Sequence, residues 1–70
     1  MPGWYVIARE PEEGDYHVYV FGPFKSETDA RAYAIDFASR EEGLVEIEAS
    51  QITHEEATTL ATDRVLWPYN

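Results

Sequence analysis

The sequence predicts an α+β fold, a small and mainly antiparallel sheet of three or four strands with one long helix packed on a face. Three observations carry this prediction. Two runs rich in aromatic and β-branched residues, Trp4–Ala8 and Tyr16–Phe21, are joined by a short polar segment. Ala30, Tyr33, Ala34, Phe37 and Ala38 recur at the i, i+3, i+4, i+7, i+8 spacing of one helical face. Leu44–Ala49 alternates apolar and acidic residues with the two-residue period of a half-buried strand.

Taken in order, Trp4–Ala8 is the first strand, and residues 9–15 form a turn punctuated by Pro11 and Gly14. Tyr16–Phe21 is the second strand. It is antiparallel to the first because the connection is too short for a crossover. Gly22-Pro23-Phe24 ends it. Ser26 is an N-cap, with Asp29 three residues on to complete a capping-box-like pair. Glu27/Arg31 and Asp36/Arg40 are acid-then-base pairs at i, i+4 on the outer face of the helix, and Gly43 supplies the left-handed residue that stops it. In the third strand Val45, Ile47 and Ala49 face one way. Glu46 and Glu48 face the other, as suits an edge. Thr53 then caps a second helix from His54 to about Thr62, with Glu56 at the box position and Ile52 and Ala57 as its hydrophobic staple. Val65-Leu66-Trp67 is a short last strand or an extended tail. The order is β-β-α-β-α with an optional final β, and the sheet order 2-1-3 is wholly antiparallel.

Seventy residues make one domain, residues 1–70, with a thin core. There is no Cys, so neither a disulfide framework nor a thiolate metal site is expected. The longest apolar run, Trp4–Ala8, is far too short for a membrane span, and no basic segment leads into an apolar one. The expectation is a cytoplasmic protein. Fourteen acids against five bases give a net charge of −9, which repels nucleic-acid phosphates and anionic lipid heads. The acidity serves solubility or complements a basic partner surface.

Nothing in the pattern supports catalysis. Ser26 is spent as a cap, and Ser39 and Ser50 have no histidine at a recognisable spacing. His54 is followed by Glu55, Glu56 and Ala57, without the second histidine a zinc helix requires, and no calcium loop is present. No metal, cofactor or catalytic residue is expected. The aromatics raise a different question, because both faces of the hairpin are apolar. Either the second helix and the tail cover the second face, or that face is an interface for a partner or a second copy of the chain. Tyr5, Ile7, His17 and Tyr19 are the candidate interaction residues there. Trp67 and Tyr69 are candidates at the tail, which is otherwise expected to fold back into the core.

From Tyr16 to Glu48 the strand, Gly22-Pro23-Phe24, the helix with Ala30, Tyr33 and Ala34, then Gly43 and a strand resemble the second half of a SPOR domain. That family binds peptidoglycan in the bacterial envelope; here a hairpin stands where it has a strand-helix unit. Most of the chain resembles the small acidic proteins of bacteriophages that infect actinobacteria, which carry a strand, a Gly-Pro-Phe turn and an Ala-rich acidic helix. That resemblance implies a phage protein acting on a host protein inside the cell. The leading expectation is a non-enzymatic protein-interaction module. Its rivals are an acidic DNA mimic that occupies a nucleic-acid-binding protein and a SPOR-like glycan binder.

Overall fold

The computed structural model describes residues 2–43 and 46–68. The elements run β1 (Gly3–Glu12), β2 (Asp15–Phe24), α1 (Glu27–Arg40), β3 (Glu46–Ile52), α2 (His54–Leu60) and β4 (Val65–Leu66). All four strands form one sheet in the order β3-β1-β2-β4. This is the expected α+β fold, with the 2-1-3 arrangement intact. The sheet is not wholly antiparallel, however. The chain crosses from β3 through α2 to the far edge, so β4 lies parallel to β2, with Val20 opposite Val65 and Phe21 opposite Leu66.

The hairpin is longer than its apolar runs. β1 continues through Pro11, and the turn shrinks to Glu13 and Gly14, where Gly14 takes φ 79°. Proline is tolerated there because β3 pairs only with Gly3–Arg9, leaving one side of β1 open beyond Arg9. β2 likewise runs on through Gly22-Pro23 to Phe24 instead of ending at Phe21, with the register against β1 shifting between Trp4 and Val6. Gly22 makes that passage feasible. Its φ is 146°, and a Cβ there would lie 2.7 Å from Tyr5 Cδ2 and 3.0 Å from the Trp4 carbonyl oxygen.

Both helices begin where their caps place them. Ser26 Oγ accepts from the Asp29 N–H at 3.2 Å. Thr53 and Glu56 close a full reciprocal box, with Glu56 N–H donating to Thr53 Oγ1 and Thr53 N–H donating to Glu56 Oε1, both at 3.1 Å. Their ends differ from expectation. α1 stops at Arg40 because Glu41 is already extended, so the left-handed Gly43 lies beyond the helix and does not stop it. α2 ends at Leu60, short of Thr62. Thr62 is recruited by the sheet: its N–H donates to the Val18 carbonyl at 3.0 Å and its Oγ1 accepts from the Val18 N–H at 2.7 Å. β3, described from Glu46, runs further than Ala49, to Ile52 beside the Thr53 cap. Leu44 and Val45 lie outside the described residues.

The sheet has a helix on each face. α1 covers Val6, Phe21, Ile47 and Ala49 with Ala30, Tyr33, Ala34 and Phe37. Ala38, counted in the stripe by its spacing, is exposed. Tyr33 and Phe37 therefore meet Val6 and Phe21, while Val18 and Val20 point to the opposite face. There α2 supplies Ala57 against Tyr5, Ile7 and Val20, and Ile52, Ala61 and Val65 complete the cluster. The second face is thus closed within the chain, by the second helix and the C-terminal strand.

Candidate functional site

The register divides the sequence-derived candidates. Ile7 stands opposite Val20 and Ala8 opposite Tyr19, so Ile7 and Tyr19 project from opposite faces. The expected patch of Tyr5, Ile7 and Tyr19 is therefore not one surface. Tyr5 and Ile7 are 2% exposed and belong to the core under α2. The Tyr5 hydroxyl shares a 3.1 Å hydrogen bond with His54 Nδ1, which satisfies its one polar group. His17 and Tyr19 lie on the α1 face, their rings 4.4 Å apart, where α1 no longer covers them fully. His17 has carboxylates on both sides, Glu12 Oε2 at 3.8 Å and Asp63 Oδ2 at 3.4 Å. Tyr69 lies outside the described residues.

Trp67 does not fold back into the core. It is 73% exposed, just past β4, as a ridge between two grooves. One groove, of about 480 Å³, runs past Pro23, Phe24, Tyr33 and Pro68. The other, of about 550 Å³, runs along Val65 and Leu66 to Phe21. A third hollow of about 200 Å³ continues from Phe21 and Leu66 to Tyr19 and Phe37, where Glu10, Glu41 and Glu42 form its rim. The three share residues end to end and make one seam between α1 and β4. Its aromatic floor is cross-packed, with Phe21 5.2 Å from Tyr33 and 5.0 Å from Phe37, and Phe24 5.2 Å from Tyr33 between ring centroids.

Charge along the seam is uneven. Among the described residues, Arg9, Arg31 and Arg40 are paired with Glu46, Glu27 and Asp36. Of the remaining cations, Lys25 lines the groove on one side of Trp67. Arg64 lines the groove on the other side and also, with His17 and Asp63, a hollow of about 160 Å³ against Tyr19 and Leu66. At the other end the Tyr19 hydroxyl donates to Glu10 Oε1 at 3.2 Å. Partial burial, that hydrogen bond and the charges of Glu10, Glu12 and Glu41 raise the Tyr19 phenol above its ordinary value of 10.0.

Sequence reasoning missed Phe21, Leu66, Glu10, Glu41 and Glu42 as members of one surface. Only the return of β4 alongside β2 brings Leu66 to Phe21, and a two-residue strand leaves no periodic signal. Among the described residues, no group of three or more His, Cys, Asp or Glu side chains is placed to hold a metal ion, and no helix is long and apolar enough to cross a membrane. No family model matches the chain, and no match was found among curated proteins or among solved structures.

Proposed function

We propose that this protein is a non-catalytic interaction module that grips a protein partner along the seam between α1 and β4, with Trp67 as its anchor. The observation that carries this reading is the position of Trp67. A large aromatic ring is left in solvent between two grooves, whereas the other described aromatics of the α1 face are buried or half-buried. Tryptophan is the residue most enriched among those that dominate binding energy at protein interfaces. Lys25 and Arg64 beside it give the apolar contact polar edges that fix orientation. In the setting that the phage resemblance implies, the partner is a host protein in the cytoplasm.

The test begins with capture of a partner on immobilised wild-type protein and then measures its affinity for variants. Ile35, on the outer side of α1, is as exposed as Trp67, at 72%, and is the matched control. Trp67→Ala is expected to weaken binding by about 30-fold or more, the effect of losing an interface anchor. Ile35→Ala is expected to change it by less than about 3-fold. Equal affinity for Trp67→Ala and wild type would reject the seam. Salt dependence separates the rival: an apolar anchor responds shallowly, whereas an acidic mimic of DNA loses affinity steeply as salt rises.

A further inference from the structure

The acidic end of the seam has a shape and chemistry of its own. Its hollow of about 200 Å³ is lined by Tyr19, Phe21, Phe37 and Leu66 and rimmed by Glu10, Glu41 and Glu42. That volume falls below the roughly 300–1,000 Å³ of small-molecule sites. It suits the end of one side chain. Glu41 and Glu42 follow the last turn of α1, so the negative end of the helix dipole adds to their charge. Tyr19 and Phe37 offer aromatic surface, and a cation in contact with a ring face gains attraction that water alone does not supply. Arg40 in the same turn does not neutralise the rim, since its guanidinium is 2.8 Å from Asp36 Oδ2 on the outer side of the helix.

We propose that this hollow receives one arginine side chain of the partner, its guanidinium stacked on the Tyr19–Phe37 floor and forked to the rim carboxylates. Arginine fits better than lysine because its planar, weakly hydrated head stacks on rings and makes paired hydrogen bonds to carboxylates. Glu10 is held in place by the Tyr19 hydroxyl, which leaves its second oxygen as an acceptor. The net charge of −9 steers a basic surface toward the chain, and Lys25, beside Trp67, disfavours the reversed orientation. This inference rests on the reading of the seam as a protein interface and specifies the chemistry of the partner.

Titration of the isotopically labelled protein with N-acetyl-arginine amide, followed by NMR, tests it without any partner. The expected result is weak, saturable binding, with shifts centred on the Tyr19 and Phe37 rings and the Glu41 and Glu42 amides. N-acetyl-citrulline amide, the same length without charge, should leave those signals in place. Glu41→Gln/Glu42→Gln should weaken arginine binding by about 4- to 10-fold, the sum of two exposed ion pairs. Glu10→Gln should weaken it by about 2- to 5-fold, and Glu48→Gln on β3 should leave it unchanged. The titration contains no partner, so loss of the arginine site is read separately from loss of the Trp67 anchor. Equal binding of citrulline, shifts spread over all acidic surfaces, no saturable arginine binding, or undiminished affinity in the double variant would each overturn the proposal.

Discussion

The two faces of the sheet are made by the same hairpin, yet they are finished differently. Under α2, Tyr5, Ile7, Val20 and Ala57 are sealed, although the helix spans only seven residues. Under α1, twice as long, Tyr19, Phe24, Tyr33 and Phe37 remain half-buried and open into grooves. Both helices bring a buried alanine to the sheet, Ala57 in α2 and Ala30 in α1, so the contrast lies in what surrounds it. Ala57 lets α2 sit close to the sheet, and Thr62 ties the following segment to the β2 edge. On the other face the rings of Tyr19, Phe21 and Phe37 line a hollow that β4 meets only with Leu66. The closed face supplies the tight packing that a small domain needs, and the open one leaves aromatic surface lining grooves.

Perturbing the closed face should have the largest effect. Ile7→Ala should cost about 2–5 kcal/mol, a large part of the roughly 4–10 kcal/mol that a chain of this size commands. Urea unfolding followed by circular dichroism should show a cooperative transition greatly weakened or lost. A wild-type midpoint would mean the α2 cluster does not hold the fold. Gly22→Ala acts on the same face, forcing a Cβ against the Tyr5 ring at a φ that disfavours side chains. About 1–3 kcal/mol of strain is expected, seen as a lower melting temperature.

Phe37→Ala on the open face should cost less than Ile7→Ala, about 1.5–2.5 kcal/mol, because the ring is only half-buried and part of its contact is with groove. The same unfolding assay sharpens the comparison. If Phe37→Ala proves costlier than Ile7→Ala, the assignment of stability to the α2 face is reversed.

A smaller effect comes from Tyr19. Its folded phenol ionises above the ordinary 10.0 that it has when unfolded, so the folded state retains a proton that the unfolded state sheds. The stabilisation is fully present below pH 10 and is lost as pH rises through the folded value. Tyr19→Phe should therefore flatten the fall of stability in that alkaline range. An unchanged pH profile in the variant would show that burial, the Glu10 hydrogen bond and the neighbouring carboxylates together do not raise the Tyr19 phenol.

Much of this architecture was legible in the residues. Ser26 and Thr53 marked both helix starts because a cap is a local hydrogen bond, and the alternation of Ile47 and Ala49 with Glu46 and Glu48 named the two sides of β3. Strand ends were not legible, since Pro11 and Gly22-Pro23 read as terminators. Whether they terminate depends on which neighbouring strand is present, a non-local fact. The candidate surface was harder still. His17, Tyr19 and Trp67 were singled out and lie on or beside the seam. Tyr5 and Ile7 went to the core, because parity alone cannot say which apolar face a later segment will cover.

The smallest effect on stability should come from Trp67→Ala, within about 0.5 kcal/mol for so exposed a side chain, yet the same ring should report binding most directly. In a Trp4→Phe background, Trp67 becomes the only indole of the chain. Its fluorescence can be followed with acrylamide quenching as the captured partner is added. Burial of the ring in the complex should move the emission to shorter wavelength and sharply reduce quenching. Unchanged emission and quenching at saturating partner would contradict the assignment of the α1–β4 seam as the binding surface.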